Sequence, residues 1–299
     1  MPTTTLEPQN PISPPLLSED EVQSFVSEGF YVSHELLSND EIEELKADAP
    51  KLIRGDYVDP SSPLDLKGDE SDEDLLQQVL CMHQPHFFSP VVEKYVKHPK
   101  VCSILSQITG AHIPFWDGSV KCMQSMYFIK PSGYQGQAWH QDEIYIPTRD
   151  RSLIGAWIAL DDAVIENGCL WVLPRSHRSG VLYDQKPHGQ NDQFDFAEES
   201  QGFDDSKEVP VEVKKGSVVF FNGYLLHRSK KNLSDHYRRV LVNHYMTTSS
   251  LLPWGNAGGE SFAKLDRRPV VTVAGTDPYE DRGRTRPDTF HFRTRISTN

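Results

Sequence analysis

Residues 138–145 read Ala-Trp-His-Gln-Asp-Glu-Ile-Tyr, a pattern that predicts a β-strand. On a strand, side chains at i and i+2 project to one face. His140 and Asp142 therefore present an imidazole and a carboxylate together, and Gln141 points elsewhere. The chain has 12 histidines and 43 acidic residues in 299 positions, so chance alone supplies about two His-x-acid pairs. By itself the pair reads better as a surface ion pair.

Working outward, Lys214-Lys215-Gly216 predicts a turn, Val218–Phe221 an apolar strand and Leu225–Arg228 a short returning strand that carries His227. In a β-barrel such a hairpin can lie beside the strand of His140. Two imidazoles and one carboxylate form the facial set that suits non-haem Fe(II) and leaves three positions open. A four-ligand or all-cysteine set would point to structural zinc instead. Arg238 opens a further strand, Val240–Met246. A barrel-facing guanidinium is costly unless it meets an anion, and its fork suits a carboxylate. Ser229 shares the face of His227, and Arg239 alternates to the other side. Taken as lone arginines, Arg238 and Arg239 read as solvent or salt-bridge residues.

The other predicted strands are Val120–Ile129, Leu153–Leu160, Cys169–Leu173 and Val209–Val213. With 138–145 and the three after Gly216 they make eight, which predicts a closed or double-sheet β fold with helices outside. Ser18–Glu21 and Ser38–Glu41 are capping boxes that open helices. The first helix ends at Gly29, before a short strand at Phe30–Val32. The second stops or kinks at Pro50. Pro99 to Ile108 is a third helix, followed by Gly110. Residues 1–17, rich in proline, read as a mobile leader. The acidic run Asp69–Asp74 reads as a solvated loop, and residues 183–208 as a lid or disordered insert. The expected single domain spans 18–299: a helical part at 18–110, a core at about 118–247 and an irregular C-terminal region at 248–299. Arg282, Arg284, Arg286, Arg293 and Arg295 make that end basic.

The formal charge of −13 argues against a nucleic-acid partner, which needs a basic face. No stretch approaches the roughly 20 apolar residues of a membrane span, and Met1–Asn10 does not read as a secretory signal. Cys81, Cys102, Cys122 and Cys169 form no C-x-x-C pair. They read as reduced thiols of a cytoplasmic protein, which leaves the sequon at Asn232 idle.

These elements occur in a longer ordered set. It comprises Gly29-Phe30, Gln124-Ser125-Met126-Tyr127, Lys130-Pro131, Trp139–Asp142, Ala156–Leu160, Glu166–Leu170, Pro174–His177, His227-Arg228-Ser229, Asn232 and Arg238. Over about residues 18–247 the chain resembles the phytanoyl-CoA dioxygenase (PhyH) family of Fe(II)/2-oxoglutarate-dependent oxygenases. The resemblance implies a mainly β fold with flanking α-helices, a double-stranded β-helix (a cupin-like jelly roll). It implies Fe(II) on His140, Asp142 and His227, and 2-oxoglutarate chelating through its 2-oxo acid end. The far carboxylate of the cosubstrate would meet Arg238 and Ser229, with Met126, Gln141 and Trp157 lining its pocket. The implied reaction uses O2 to hydroxylate a small organic or lipid-like substrate, releasing succinate and CO2. A halogenating relative would carry a small residue where Asp142 stands, so hydroxylation or a related C–H oxidation is favoured.

Two departures stand out. The family's Pro-Gly-Ser-His turn reads Pro174-Arg175-Ser176-His177, and arginine takes φ > 0 less cheaply than glycine. A lysine that relatives place before the first core strand has no clear match near Leu75–His83. Among the remaining candidates, Trp139 reads as a core aromatic, Trp157 equally as a core aromatic or a pocket-lining one, and His177 and His244 as hydrogen-bonded histidines rather than ligands. His83 and His86 lack a carboxylate that would make a second metal site. Arg149, Arg151, Arg175 and Arg178 read either as solvated or as a positive mouth for an anionic substrate. The rival functions are a cupin-type metal barrel or isomerase, which would more commonly show His-x-His, and a catalytically silent relative with a regulatory role. Substrate choice is expected from residues 55–90, 183–208 and the C-terminal region.

Overall fold

Three helices begin on the same device. Ser18, Ser38 and Ser71 each accept a hydrogen bond from the backbone N–H three residues on, and the carboxylates of Glu21, Glu41 and Asp74 accept one from the serine N–H in return. Two otherwise orphaned N–H groups are satisfied at each start. The third box lies in the acidic run expected as a loop. Asp72, Glu73 and Asp74 form the first helical turn there, where the N-terminal partial charge favours acids.

The computed structural model describes residues 10–57, 64, 66, 68–195, 197–252, 269–280 and 291–294. In chain order the elements are α1 (Glu19–Glu28), β1 (Phe30–Ser33), α2 (Asn39–Arg54), α3 (Asp72–Gln78), β2 (Val79–His83), α4 (Pro90–Val96), α5 (Pro99–Ile108) and β3 (Val120–Lys130). They continue with β4 (Gln137–His140), α6 (Asp142–Tyr145), β5 (Ile154–Ala159), β6 (Leu170–Val172), β7 (Gln185–Lys186), β8 (Glu199–Ser200), β9 (Val209–Val211), β10 (Val218–Asn222), β11 (His227–Ser229) and β12 (Arg238–Thr247). β13 (Val271–Ala274) and β14 (His291–Thr294) close the order. None of the helices among the described residues is long and apolar enough to cross a membrane.

The larger sheet runs β1-β10-β5-β12-β3-β2-β14, with β13 also on β3, and the smaller runs β4-β11-β6-β9. All of these pairs are antiparallel. Strands β3, β12, β5 and β10 face β4, β11, β6 and β9 as the two halves of a jelly roll, the expected fold class. Alternation divides β12 between two cores. Leu241 and Tyr245 pack with Leu45, Ile53 and Tyr95 of the helices. Val240 and Val242 pack between the sheets with Trp157, Val172 and Val219.

The structure corrects several expectations. α2 runs through Pro50 to Arg54 because Leu45, Ala49, Leu52 and Ile53 are all fully buried. Their packing outweighs the one N–H that proline lacks. The strand expected over 138–145 ends at His140. Its partner β11 begins at His227, directly opposite, so Asp142–Tyr145 has no ladder to join and curls into one helical turn. The end of the expected leader is docked. Leu16 and Leu17 donate their N–H groups to Gln107 Oε1, each at 2.8 Å, and Ser103 donates to Pro14 O. The 183–208 insert is tied down by the β7–β8 ribbon and a bridge from Phe194 to Gly136. The C-terminal region supplies β13 and β14. Residues 1–9 of the leader, and Arg282, Arg284, Arg286 and Arg295, lie outside the described residues.

Candidate active site

His140 ends β4 and His227 begins β11, and the two are register partners. The ladder sets their rings side by side, 4.0 Å between centroids. Each Nδ1 donates to a carbonyl two residues back: His140 to Ala138 at 2.8 Å and His227 to Leu225 at 2.9 Å. That bond fixes the tautomer and leaves each Nε2 lone pair free. Gln141 is still extended, with φ −128° and ψ 126°, so Asp142 returns to the face of His140 although the strand has ended. Asp142 Oδ1 lies 3.7 Å from both Nε2 atoms. The three ligand atoms all lie within 4.8 Å of one another, and among the described residues no other group of metal-ligating side chains is as compact.

Burial holds His140 neutral, pulling its pKa down to about 3, with His227 adding to the effect. Burial would raise the pKa of Asp142, but His227, His244 and His140 hold it below the usual carboxylate range. His140 and Asp142 therefore stand in the protonation state that a divalent cation requires. The second carboxylate oxygen, Oδ2, is engaged by His244 Nε2 at 2.9 Å.

A second set of groups lies in the same cavity. Arg238 opens β12 and is register partner to Lys130 at the end of β3. Arg238 is buried, its Nε is buried without a partner among the described residues, and its guanidinium carbon lies 5.5 Å from the Trp157 ring centroid. Burial draws its pKa down to about 10. Lys130 Nζ donates to Ser229 Oγ at 3.1 Å and to Lys230 O at 2.8 Å. Burial, and then Arg238, pull its pKa well below the ordinary amine value. Arg239 faces the other way and forms a two-pronged ion pair with Asp161, at 2.8 and 2.9 Å. The salt-bridge reading thus describes Arg239 and not Arg238.

One cavity of about 500 Å³ contains His140, Asp142, His227, Arg238, Ser229, Met126 and Trp157 in its wall. Gln141 is absent from that wall. Its amide donates to Tyr224 O at 2.7 Å and Val181 O at 2.9 Å and accepts from Tyr183 N–H at 3.0 Å. It anchors the start of the 183–208 insert, because i+1 alternation turns it away from the cavity. Lys130 escaped the sequence reading as a site residue. Its spacing from Met126, two alternations along β3, is the signal that places it inward. The regions expected to choose substrate do reach the wall: Leu80 and His83, then Gln185, Asp195 and Glu198, then Arg293. Arg149, Arg151, Arg175 and Arg178 do not. Trp139 lies outside the wall, donating to Asp205 Oδ2 at 3.2 Å beneath Arg228. His177 bonds Val26 O at 3.0 Å, packed where a Cβ at Gly29 would collide with it. The four cysteines are buried and free, and burial pushes their thiols up, Cys169 to about 11 and the others to about 12.

Comparison with known proteins bears on the family and the fold. The profile of the phytanoyl-CoA dioxygenase (PhyH) family matches residues 25–240. A zebrafish (Danio rerio) phytanoyl-CoA dioxygenase domain-containing protein 1 is 28% identical over 274 residues, 79% of this chain and 92% of that protein. The peroxisomal phytanoyl-CoA dioxygenase of Rattus norvegicus is 26% identical over 289 residues, covering 94% and 82%. Among solved structures, the epimerase SnoN in complex with Fe3+, α-ketoglutarate and nogalamycin RO superposes with a TM-score of 0.60. It is 18% identical, with 92% of this chain and 97% of that chain covered.

Proposed function

The chain belongs to the phytanoyl-CoA dioxygenase (PhyH) family, and from that premise we propose that it is an Fe(II)- and 2-oxoglutarate-dependent dioxygenase. Its reaction is hydroxylation of a small organic or lipid-like substrate, with release of succinate and CO2. The observation that carries this reading is the pairing of two sites in one cavity: a buried His140–Asp142–His227 set and a buried Arg238 whose Nε has no partner among the described residues.

The residues fit both groups. His140 and His227 each bond a backbone carbonyl through Nδ1 and present Nε2, and Asp142 presents Oδ1, the donor set that suits Fe(II). Iron bound there supplies oxygen activation, coupled to oxidation of 2-oxoglutarate. Arg238 and Ser229 take the far carboxylate, and Lys130 holds the Ser229 hydroxyl in place by donating to it. A guanidinium recognises a carboxylate by parallel N–H donors. Trp157, Met126, Phe221 and Val242 form the apolar wall between the two ends. They exclude water, which strengthens the charge contacts. The SnoN complex, which holds Fe3+ and α-ketoglutarate in the same fold, supports this arrangement. Asp142 favours C–H oxidation over halogenation, and the buried free thiols suit a reducing compartment such as the cytoplasm. The family name does not carry its substrate to this chain, because fold and cosubstrate site do not specify it.

The test is an anaerobic titration with Fe(II) and 2-oxoglutarate, following the visible charge-transfer band of the chelate. The wild type gives the band, Asp142→Ala loses it, and Arg238→Ala needs far more 2-oxoglutarate. Folded, iron-loaded wild-type protein without the band would sink the oxygenase reading and leave the cupin-type barrel.

A further inference from the structure

We propose that His244, set by Gln124, is a positioning residue that holds the Asp142 carboxylate in a one-oxygen mode, with Oδ1 facing the metal and Oδ2 withheld. The inference rests on the metal reading above.

Carboxylates bind cations through one oxygen or two. A facial triad serves a three-component reaction only if three positions stay open, and a two-oxygen Asp142 would fill one of them. His244 prevents this by geometry. Its Nε2 is 2.9 Å from Asp142 Oδ2, while Oδ1 faces the Nε2 atoms of His140 and His227 at 3.7 Å. His244 is buried, so the bond is shielded from competing water.

The tautomer of His244 is set from its other side. Gln124 Nε2 lies 3.4 Å from His244 Nδ1, and an amide N–H there leaves Nδ1 as acceptor and Nε2–H as donor to Asp142. Gln124 and His244 are direct cross-strand partners on β3 and β12. The ladder slips its register immediately beyond them, between His244 and Tyr245. Such bulges re-aim side chains beside active sites. The chain Gln124–His244–Asp142 thus crosses three elements and ends on the one ligand whose binding mode can vary.

The test uses the full-length chain, metal-free and anaerobic, titrated with Co(II), whose visible bands report coordination number. Melting temperature without metal checks the fold. Removing the donor in His244→Leu weakens Co(II) binding by about 10- to 100-fold and changes the band intensity. His244→Gln, whose amide reaches the same oxygen, restores most of both. Gln124→Leu gives a smaller loss of the same sign. If His244→Leu does not fold, His244→Asn, too short to reach Asp142, takes its place against His244→Gln. Wild-type affinity and spectrum in His244→Leu overturn the proposal, as does a Gln variant as weak as Leu. No loss in Gln124→Leu removes Gln124 from the assignment. Wild-type protein that binds no Co(II), or binds it equally with Asp142→Ala, overturns the metal reading itself, and the wild-type arm separates that result from the others.

Discussion

Lys130 and Arg238 are register partners across the β3–β12 ladder, both buried, and neither is ion-paired among the described residues. Lys130 is hydrogen-bonded to Ser229 and Lys230, but both of those partners are neutral acceptors. Burial first, and then repulsion from Arg238, draw the Lys130 amine well below its ordinary range. A fold selected for stability alone would replace one of them with an apolar residue. The arrangement is understandable if an anion enters between them and Trp157.

Arg238→Met therefore has two opposite effects. In metal-free protein without 2-oxoglutarate it raises stability on the order of 1 kcal/mol, a few degrees in melting temperature. Added 2-oxoglutarate stabilises the wild type by mass action and leaves the variant unmoved. Differential scanning calorimetry with and without the cosubstrate reads both. A variant that melts lower than wild type and still responds to 2-oxoglutarate would remove Arg238 from the anion site.

The jelly-roll strands were legible because each is bounded by turn residues and keeps an alternating or apolar run, as in Val120–Ile129 and Val218–Phe221. The grouping of His140, Asp142 and His227 was legible because both histidines fell on such strands and the extended backbone at Gln141 keeps Asp142 on the face of His140. β2 was not, because it follows α3 directly at Val79, with no glycine or proline to mark the change. β13 and β14 add to a sheet already formed, and tertiary pairing rather than local pattern makes them strands. The break after His140 depends on where β11 begins, a long-range fact. Gln141 shows the limit of a resemblance: its place in the motif is kept while its amide is spent on the backbone of Val181, Tyr183 and Tyr224.

Arg175 occupies the left-handed region at φ 69°, where relatives' turns suggest glycine. It is held by Glu28, which its guanidinium meets at 2.7 to 3.0 Å, and its own N–H donates to Glu28 O at 2.9 Å. The strain predicts an ordering among variants. Arg175→Ala loses the pair and keeps the strain, whereas Arg175→Gly loses the pair and relieves it. The glycine variant is more stable than the alanine variant by about 1 kcal/mol. Urea denaturation of both decides this, and equal midpoints would show that the turn relaxes.

Glu41 sets an acid limit on stability. Burial would raise its pKa, but the Ser38 N–H, the Ser38 hydroxyl and His98 hold it down to about 2, from an ordinary 4.5. A carboxylate lowered in the folded state adds stability above its unfolded pKa and loses it as protons bind. The contribution is full above about pH 4.5 and fades as pH falls towards 2. It is on the order of 1 kcal/mol once solvent screening is allowed for. Glu41→Gln lowers the melting temperature at pH 7 and flattens its fall between pH 5 and 3. A wild-type slope in Glu41→Gln would assign the acid sensitivity to other carboxylates.

Asp195 and Arg293 join two parts of the chain across the cavity mouth. Asp195 belongs to the 183–208 insert, which continues from the edge of the smaller sheet through Gly136: Gly136 N donates to Gln193 O and Asp195 N to Gly136 O, both at 2.8 Å. Arg293 is on β14, the edge strand of the larger sheet. Their ion pair, 3.3 Å between Nη1 and Oδ2, links the two sheet edges, and both residues line the cavity. Being partly exposed, the pair adds little to global stability, and its effect falls on local opening. Asp195→Arg therefore leaves the melting temperature nearly unchanged while trypsin or a broad-specificity protease cuts within 183–208 several times faster. The exchanged pair, Asp195→Arg with Arg293→Asp, restores protection, because the attraction is regained with its direction reversed. A single variant cut by the broad-specificity protease at the wild-type rate would mean that the insert is held by its backbone bonds to Gly136 alone.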